Sequence, residues 1–160
     1  MSALLEICDV ALFKGRQMIL EVPSLKVEEG KVLGVMGPNG AGKTSLLQVM
    51  AALEKPSRGK VLFRGQDISQ MDKVQLRRRM AVVFQEPLLL SGSVLENVTL
   101  GLKIRGVPLE ERKKRAEFWL AKLKISHLAS RSARFLSGGE AQRVSLARAL
   151  VLEPEVLFFG

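Results

Sequence analysis

The stretch GPNGAGKT, Gly37–Thr44, decides the fold of this chain. It matches the pattern G-x-x-x-x-G-K-[S/T], in which glycines let several backbone N–H groups converge on a phosphate. The apolar run Val32–Met36 before it predicts a strand, and Gly42–Leu53 after it has leucine and methionine at helical spacing. The start of a helix adds the positive end of its dipole at the same place. The stretch therefore predicts a phosphate site at a strand-to-helix junction.

The loop also predicts how a nucleoside triphosphate and its metal are held. We expect Lys43 to reach the β- and γ-phosphates and the Thr44 hydroxyl to hold Mg²⁺. The predicted nucleotide-binding residues of the loop are Gly37, Pro38, Asn39, Gly40, Ala41, Gly42, Lys43, Thr44 and Ser45. The alternative is a glycine-rich turn with a chance lysine, which the complete match in this setting disfavours. Kinases, GTPases and ATPases share the loop, so it does not choose among them.

Strand and helix patterns alternate along the rest of the chain. Leu4–Leu12 partly alternates apolar and polar residues, and Ala81–Phe84 and Val156–Phe159 are short apolar runs typical of buried parallel strands. Two serine–glutamate pairs have the spacing of capping boxes and predict helix starts: Ser93 with Glu96, and Ser137 with Glu140. The predicted fold class is α/β, a P-loop NTPase with a mostly parallel sheet, N-terminal antiparallel strands and an α-helical subdomain.

Composition is that of an ordinary globular protein. Of the 160 residues, 47% are hydrophobic and 26% charged, and the single cysteine, Cys8, excludes an internal disulfide. The sequence has no signal-peptide pattern and no apolar run long enough to cross a bilayer, so we expect a cytoplasmic protein. The net charge of +9 allows a nucleic-acid or membrane-surface partner. Basic residues on solvated helix faces are the simpler interpretation.

LSGGEAQRVSLARAL, Leu136–Leu150, chooses among the nucleotide-binding classes. Together with the phosphate loop it resembles the signature of the ATP-binding-cassette (ABC) ATPases, and the resemblance runs from Leu4 to Phe159. It implies a head-to-tail homodimer in which each ATP lies between the loop of one protomer and the signature of the other. The implied nucleotide contacts of the signature are Ser137, Gly138, Gly139 and Glu140. A helix start with two glycines can approach a phosphate closely, whereas helix capping alone requires neither both glycines nor the Ala-Gln-Arg that follows.

The same resemblance gives roles to two further residues. Gln85, in VVFQEP, matches the glutamine that senses Mg²⁺ and the γ-phosphate, so Lys43 and Gln85 are the expected catalytic residues. Thr44 and Gln85 are the expected metal contacts. Phe13, in LFKG, lies where the family stacks an aromatic ring on adenine. The alternatives are an ordinary polar residue at a strand end for Gln85 and a core residue for Phe13.

The resemblance also implies that the chain is a partial ABC-type ATP-binding domain. Residues 1–87 are the N-terminal part of the catalytic core, 88–136 a helical subdomain, and 137–160 the signature helix with a truncated Walker B strand. Gly160 falls where the family has a magnesium-supporting aspartate, and the position of the water-polarising glutamate lies past it. Losing a general base costs about 10²- to 10⁴-fold in rate. We therefore expect a truncated or frame-shifted copy of a longer protein, with a short regulator as the alternative. We expect the chain to bind ATP weakly or moderately and to hydrolyse it very slowly or not at all.

The implied function is that of the ATP-binding subunit of an ABC transporter, with ATP and Mg²⁺ as cofactors. GVPLEER (106–112) and GGEAQRVSLARALVLEPEVL (138–157) are similar to prokaryotic importer ATPases, including those for tungstate and related oxyanions. The implied partner is a transmembrane permease subunit, which would hold the chain at the inner face of the cell membrane. PLLLSGS, Pro87–Ser93, is the expected docking segment, and a local core is the alternative for Leu88–Leu90.

Two other functions stay open. One is a non-hydrolysing nucleotide-binding or dimerisation module, and the other is a non-transport ABC ATPase that acts on DNA. The segment between Gln85 and Leu136 has no sustained heptads, whereas the DNA-acting relatives carry a long coiled coil there. We therefore expect no nucleic-acid partner.

Overall fold

The computed structural model describes residues 3–160 and divides them into two compact units, residues 3–77 and residues 78–160. The first unit contains an antiparallel sheet and the phosphate loop, and the second contains helices and a pair of parallel strands. This combination confirms the predicted α/β class. No helix within residues 3–160 is long and apolar enough to cross a membrane.

The first unit is built on a four-stranded antiparallel sheet in the order β2-β1-β3-β4. Strand β1 (Ala3–Lys14) pairs with β2 (Gln17–Glu28) on one side and with β3 (Arg58–Phe63) on the other, and β3 also pairs with the short β4 (Gln66–Asp67). Successive side chains of a strand point to opposite faces, so alternation creates one apolar face. Its most deeply buried side chains are Leu5, Ile7, Val10, Val61 and Phe63.

The segment on either side of the phosphate loop agrees with the prediction only in part. The helix after the loop, α1 (Lys43–Met50), is present, and the predicted strand over Val32–Met36 is wrong, because residues 31–38 form neither helix nor strand. A strand needs hydrogen-bond partners on a neighbouring strand, and no strand among residues 3–160 pairs with this segment. Val32 is 99% exposed, although the apolar run predicted burial. The first unit also contains a 3₁₀ turn (Ile68–Gln70), and α2 (Lys73–Arg78) runs across the boundary at residue 77.

The second unit packs three helices around one apolar core. They are α3 (Val94–Ile104), α4 (Leu109–Lys122) and α5 (Gly138–Leu150), and 3₁₀ turns lie at Ser126–Leu128 and Ala133–Phe135. Each helix turns an apolar face inward, as the spacing of its leucines, valines and alanines requires. The fully buried side chains of this helical core are Val94, Val98, Leu102, Ala116, Leu120, Ile125, Val144, Ala147 and Val151.

A pair of parallel strands completes the second unit. Strands β5 (Met80–Val83) and β6 (Val156–Phe159) are both predicted from their apolar runs, and both predictions are confirmed. An ion pair stands at their beginning, where Arg79 Nη2 donates to Glu155 Oε2 at 3.0 Å. The amide of Glu155 also donates to the Arg79 carbonyl oxygen at 2.8 Å. These contacts join the two strands at their N-terminal ends, whereas Gln85 follows the C-terminal end of β5.

Both predicted capping boxes are present. The amide of Glu96 donates to Ser93 Oγ at the start of α3, and the amide of Glu140 donates to Ser137 Oγ at the start of α5. In return each glutamate carboxylate accepts a hydrogen bond from the amide of its serine. Because such boxes are local, they fix the first residues of both helices. The start of α5 is therefore the glycine-rich stretch that the sequence singles out.

Candidate functional site

The phosphate loop needs glycine at two positions. Gly40 has φ +80° and Gly42 has φ +89°, the left-handed region that residues with a Cβ rarely adopt. A Cβ on Gly42 would also lie 2.8 Å from the carbonyl oxygen of Ile19. Gly42 is therefore required by backbone conformation and by space, a reason that the motif itself does not state.

The first turn of α1 is open to an anion. Gly42 stands at the N-cap, where no side chain accepts a hydrogen bond from the helix, and the first turn contains no acidic residue. The first N–H groups of an α-helix have no partners within the helix, and the helix dipole adds partial positive charge there. The loop thus ends in a group of backbone donors suited to phosphate oxygens.

Lys43 folds back over its own loop. Its ammonium Nζ donates to the carbonyl oxygens of Gly37 and Pro38, each at 2.7 Å. The amide of Ala41 donates to the same Pro38 oxygen at 3.2 Å, which closes the turn. These acceptors are neutral, and an ammonium forms stronger hydrogen bonds with an anionic oxygen. The lysine is therefore held in the loop by contacts that a phosphate can replace.

The other predicted residues of the first unit are accessible. Asn39 and Thr44 are exposed, and Ser45 is half-buried. Phe13 is 42% exposed, so its interpretation as a core residue is wrong. Its amide donates to Ser57 Oγ at 3.0 Å, which ties the end of β1 to the segment before β3. An exposed ring can stack on a planar base, and the stacking role of Phe13 stays a prediction.

The signature stretch forms the start of α5. Ser137, Gly138 and Gly139 are exposed and Glu140 is half-buried. A Cβ added at either glycine would meet nothing within 4 Å, so neither glycine is required by packing within the chain. The hydrogen bond from the Ser137 amide to the Glu140 carboxylate, 2.8 Å long, lowers the pKa of Glu140 below its ordinary value. The predicted capping role is therefore confirmed, and it leaves the two glycines unexplained.

Gln85 lies just after β5 on a segment, residues 84–92, that forms neither helix nor strand. The residue is exposed, as a ligand contact requires, and its role toward Mg²⁺ stays a prediction. Two side chains of α5 reach the main chain of this segment. Gln142 Nε2 donates to the carbonyl oxygen of Gln85, and Arg148 Nη1 donates to that of Leu88 at 2.7 Å. Sequence reasoning missed both residues, because bonds to backbone oxygens 57 and 60 positions away leave no pattern in the sequence.

The predicted site residues fall into two groups. Phe13 and the loop residues 37–45 belong to the first unit, and Gln85 and the signature residues 137–140 belong to the second. Within the second unit, Gln142 joins the main chain at Gln85 to the helix that begins with the signature.

A phosphate loop that opens one helix and an LSGGE stretch that opens another define a nucleotide-binding protein of the ABC class. A sequence model of the family described as ABC transporter matches residues 20–159, and the chain belongs to this family. The matched region contains both the phosphate loop and the signature helix. The resemblance seen in the sequence is thereby confirmed.

Individual relatives agree with this membership. The chain is 41% identical over 143 residues to the tungstate uptake system ATP-binding protein TupC of Peptoclostridium acidaminophilum, covering 89% of this chain and 64% of TupC. It is 42% identical over 147 residues to the methionine import ATP-binding protein MetN of Bordetella avium strain 197N, covering 89% and 41% respectively. The structure of cbiO1 from Clostridium perfringens, part of the ABC transporter complex cbiONQ, matches with a TM-score of 0.89 at 31% identity. That match covers 99% of this chain and 65% of cbiO1, so the chain spans less than two thirds of each of these proteins.

Proposed function

We propose that this chain binds ATP together with Mg²⁺ and acts as the nucleotide-binding part of an ABC importer. The observation that carries the proposal is the start of α1. There Gly42 has a left-handed conformation, the first N–H groups of the helix have no side-chain cap, and Lys43 lies over the loop. The relatives named for tungstate uptake and methionine import, both described as ATP-binding proteins, support the ligand and the direction of transport. Tungstate or a related oxyanion is the proposed cargo.

Each residue of the site has a chemical task in this proposal. Lys43 exchanges the carbonyl oxygens of Gly37 and Pro38 for phosphate oxygens, and the N–H groups of the first turn of α1 support the same phosphates. Thr44 and Gln85 offer the oxygen ligands that Mg²⁺ prefers, and the ion when bound neutralises phosphate charge. Phe13 stacks on the adenine ring.

The signature stretch would serve a second copy of the chain. Its glycines are exposed, and their small size is not used for packing within the chain. A head-to-tail dimer would use that open space for the ATP held by the partner's phosphate loop. ATP then favours the closed dimer because it contacts both protomers, and loss of the γ-phosphate removes part of that preference.

Binding rather than turnover is the activity that we expect to measure. By resemblance the chain is an ABC-type ATPase, but Gly160 stands where that family has an aspartate. The amide of Gly160 donates to the Val83 carbonyl oxygen at 3.0 Å, so this position continues the pairing of β5 and β6 without bringing a carboxylate. A non-hydrolysing nucleotide-binding module is the corresponding alternative.

Titration calorimetry with Mg-ATP tests the proposal. Wild-type chain should bind, and Lys43→Ala should weaken binding by at least about tenfold, because a charge-assisted hydrogen bond contributes roughly 1.5–3 kcal/mol. Lys55→Ala is the matched control, since Lys55 is an exposed lysine outside the loop and its removal changes the net charge equally. Wild-type chain that ignores Mg-ATP, or a Lys43→Ala variant that binds as wild type does, would contradict the proposal.

A permease subunit is the proposed partner, and it would keep this chain at the inner face of the membrane. The segment after Gln85 supports this, because Leu88 is 62% exposed and Leu90 is 55% exposed, whereas Leu89 packs against the helical core. In this proposal residues 88–136 are the helical subdomain that meets the permease, residues 1–87 carry the phosphate loop, and residues 137–160 carry the signature. Capture of a purified permease by this chain is the deciding observation.

A further inference from the structure

The segment that carries Gln85 is held in place mainly through its main chain. Residues 84–92 form neither helix nor strand, so the hydrogen bonds of their main chain must come from other groups. At the end of the segment, the Gly92 carbonyl oxygen accepts from the Ala133 amide at 2.9 Å. Within residues 84–90 the backbone–backbone contact is the short one from the Leu89 amide to the Pro87 oxygen, at 2.8 Å. Contacts to the helices of the same unit come instead from three side chains: Asn97, Gln142 and Arg148.

Two of these contacts come from the signature helix α5. Gln142 is half-buried and donates to the Gln85 oxygen, and Arg148 donates to the Leu88 oxygen at 2.7 Å. The guanidinium of Arg148 is partly removed from water, and this burial lowers its pKa from the ordinary value. A charged donor that has lost part of its hydration depends on its remaining acceptors, so its bond to Leu88 is costly to break.

The third contact anchors the far end of the segment to α3. Asn97 is buried, and its amide group uses both of its ends: Nδ2 donates to the Leu90 and Ser93 oxygens at 2.9 and 3.0 Å, and Oδ1 accepts from the Leu90 amide at 2.8 Å. Leu90 is therefore fixed to a helix that belongs to the core. The part of the segment that is hydrogen-bonded to α5, and can move together with it, is therefore residues 85–88.

We propose that Gln142 and Arg148 are positioning residues. Through their hydrogen bonds, the main chain at residues 85–88 moves together with the signature helix α5, and Gln85 moves with it. The role of Gln85 toward Mg²⁺ in this inference rests on the proposed function. Because Gln142 binds the backbone carbonyl of Gln85, it fixes the main chain of this residue and leaves the side chain available for a ligand. Bonds to backbone atoms also place the segment whatever side chains it carries. A displacement of α5 at the signature would thus reach Gln85 through two hydrogen bonds.

Limited proteolysis of the ligand-free chain tests the contact itself. Chymotrypsin can cut after Phe84 and Leu88 inside the segment, and after Phe135 outside it, where the exposed ring provides an internal reference. Gln142→Glu keeps the shape of the side chain but replaces the donor by an acceptor. We expect it to speed cleavage after Phe84 and Leu88 by about tenfold, as loss of one hydrogen bond to a carbonyl allows, while cleavage after Phe135 stays unchanged.

Arg148 supplies a second pair of variants. Arg148→Met should speed cleavage after Leu88, and Arg148→Lys should restore most of the protection because an ammonium can still donate. Arg143→Met is the matched control, since Arg143 is an exposed arginine of the same helix. Unchanged cleavage in both Gln142→Glu and Arg148→Met would overturn the inference. If Arg148→Met speeds all three cuts equally, this variant has loosened the whole fold. The cleavage rates of Gln142→Glu and Arg148→Lys then decide whether the two side chains hold the segment.

The dependence of ATP affinity on Mg²⁺ tests the positioning role. Gln142→Glu should weaken binding of Mg-ATP about tenfold and leave binding of ATP in EDTA unchanged. In a Gln85→Ala background the same substitution should have no further effect, because residues that act through one another are not additive. Equal loss with and without Mg²⁺, or a full additional loss in Gln85→Ala, would overturn the role. If wild-type chain binds no ATP, the proposed function and the positioning role fail together, and the cleavage rates still decide whether Gln142 and Arg148 hold the segment.

Discussion

Glu140 ties the first turn of α5 to its own N-cap, and this contact depends on pH. The hydrogen bond from the Ser137 amide, helped by Ser137 Oγ, lowers the pKa of the Glu140 carboxyl. A lowered folded-state pKa means that the contact stabilises the protein fully above the ordinary pKa of glutamate. That stabilisation is lost as pH falls through the lowered pKa. Acid should therefore weaken the start of the signature helix.

The variant Glu140→Gln isolates this effect, because a glutamine at the same position does not titrate. Its urea midpoint should lie below that of wild type at pH 7, and the difference should shrink as the pH falls toward 3. Glu117→Gln is the control, since Glu117 is an exposed glutamate in the middle of α4. A difference for Glu140→Gln that stays constant across this pH range would show that the carboxylate form has no special role.

The pairing of β1 with β3 depends on a single glycine. Gly59 has φ +79° and faces Asp9, itself at φ +47°, where the register shifts between Cys8 and Ala11. A Cβ at Gly59 would lie 2.5 Å from the Cys8 carbonyl oxygen and closer still to Asp9, and both obstacles are backbone. Moving the backbone of a paired strand would break its hydrogen bonds, so no side chain can be accommodated at position 59. The bulge therefore requires the glycine.

Gly59→Ala should therefore destabilise the sheet by more than the ~1–2 kcal/mol that a left-handed conformation alone costs. Gly65→Ala is a close control, because Gly65 also has φ +79° but a Cβ there would meet nothing within 4 Å. Urea unfolding of both variants measures the comparison. Equal losses of stability in the two variants would mean that the close approach of β1 and β3 contributes nothing.

Features that depend on residues close in the sequence could be predicted, whereas features that depend on partners distant in the sequence could not. The capping boxes at Ser93 and Ser137 depend on a glutamate three positions on, so the sequence contains all the information. The run Val32–Met36 shows apolar character but not the strand that must pair with it, and here the prediction fails. Asn97 is buried because it serves backbone atoms of a loop, which neither periodicity nor motif indicates.

The excess of positive charge is concentrated in one part of the molecule. Residues 103–134 contain ten lysines and arginines against three glutamates, and the net charge of the whole chain is +9. Most of these basic residues are exposed, as solvated helix faces require. Such a surface attracts any polyanion in a manner that salt screens, and it carries no sequence specificity by itself. The charge therefore gives no separate support to a DNA-acting function.

The exposed leucines after Gln85 bear on the whole assembly, because we propose them as the contact with a permease. Detergent-solubilised permease subunits from a tungstate importer and a methionine importer, each offered to immobilised chain, provide the test. The double variant Leu88→Ser/Leu90→Ser should lose most of the captured permease, since an apolar contact needs both exposed side chains. Ile104→Ser/Phe118→Ser removes two other exposed apolar side chains of the same unit and should keep it. Mg-ATP affinity should be equal in both double variants, which verifies that each is folded. Equal loss of capture in the two variants would place the permease contact elsewhere, and no capture by wild type would contradict the proposed partner.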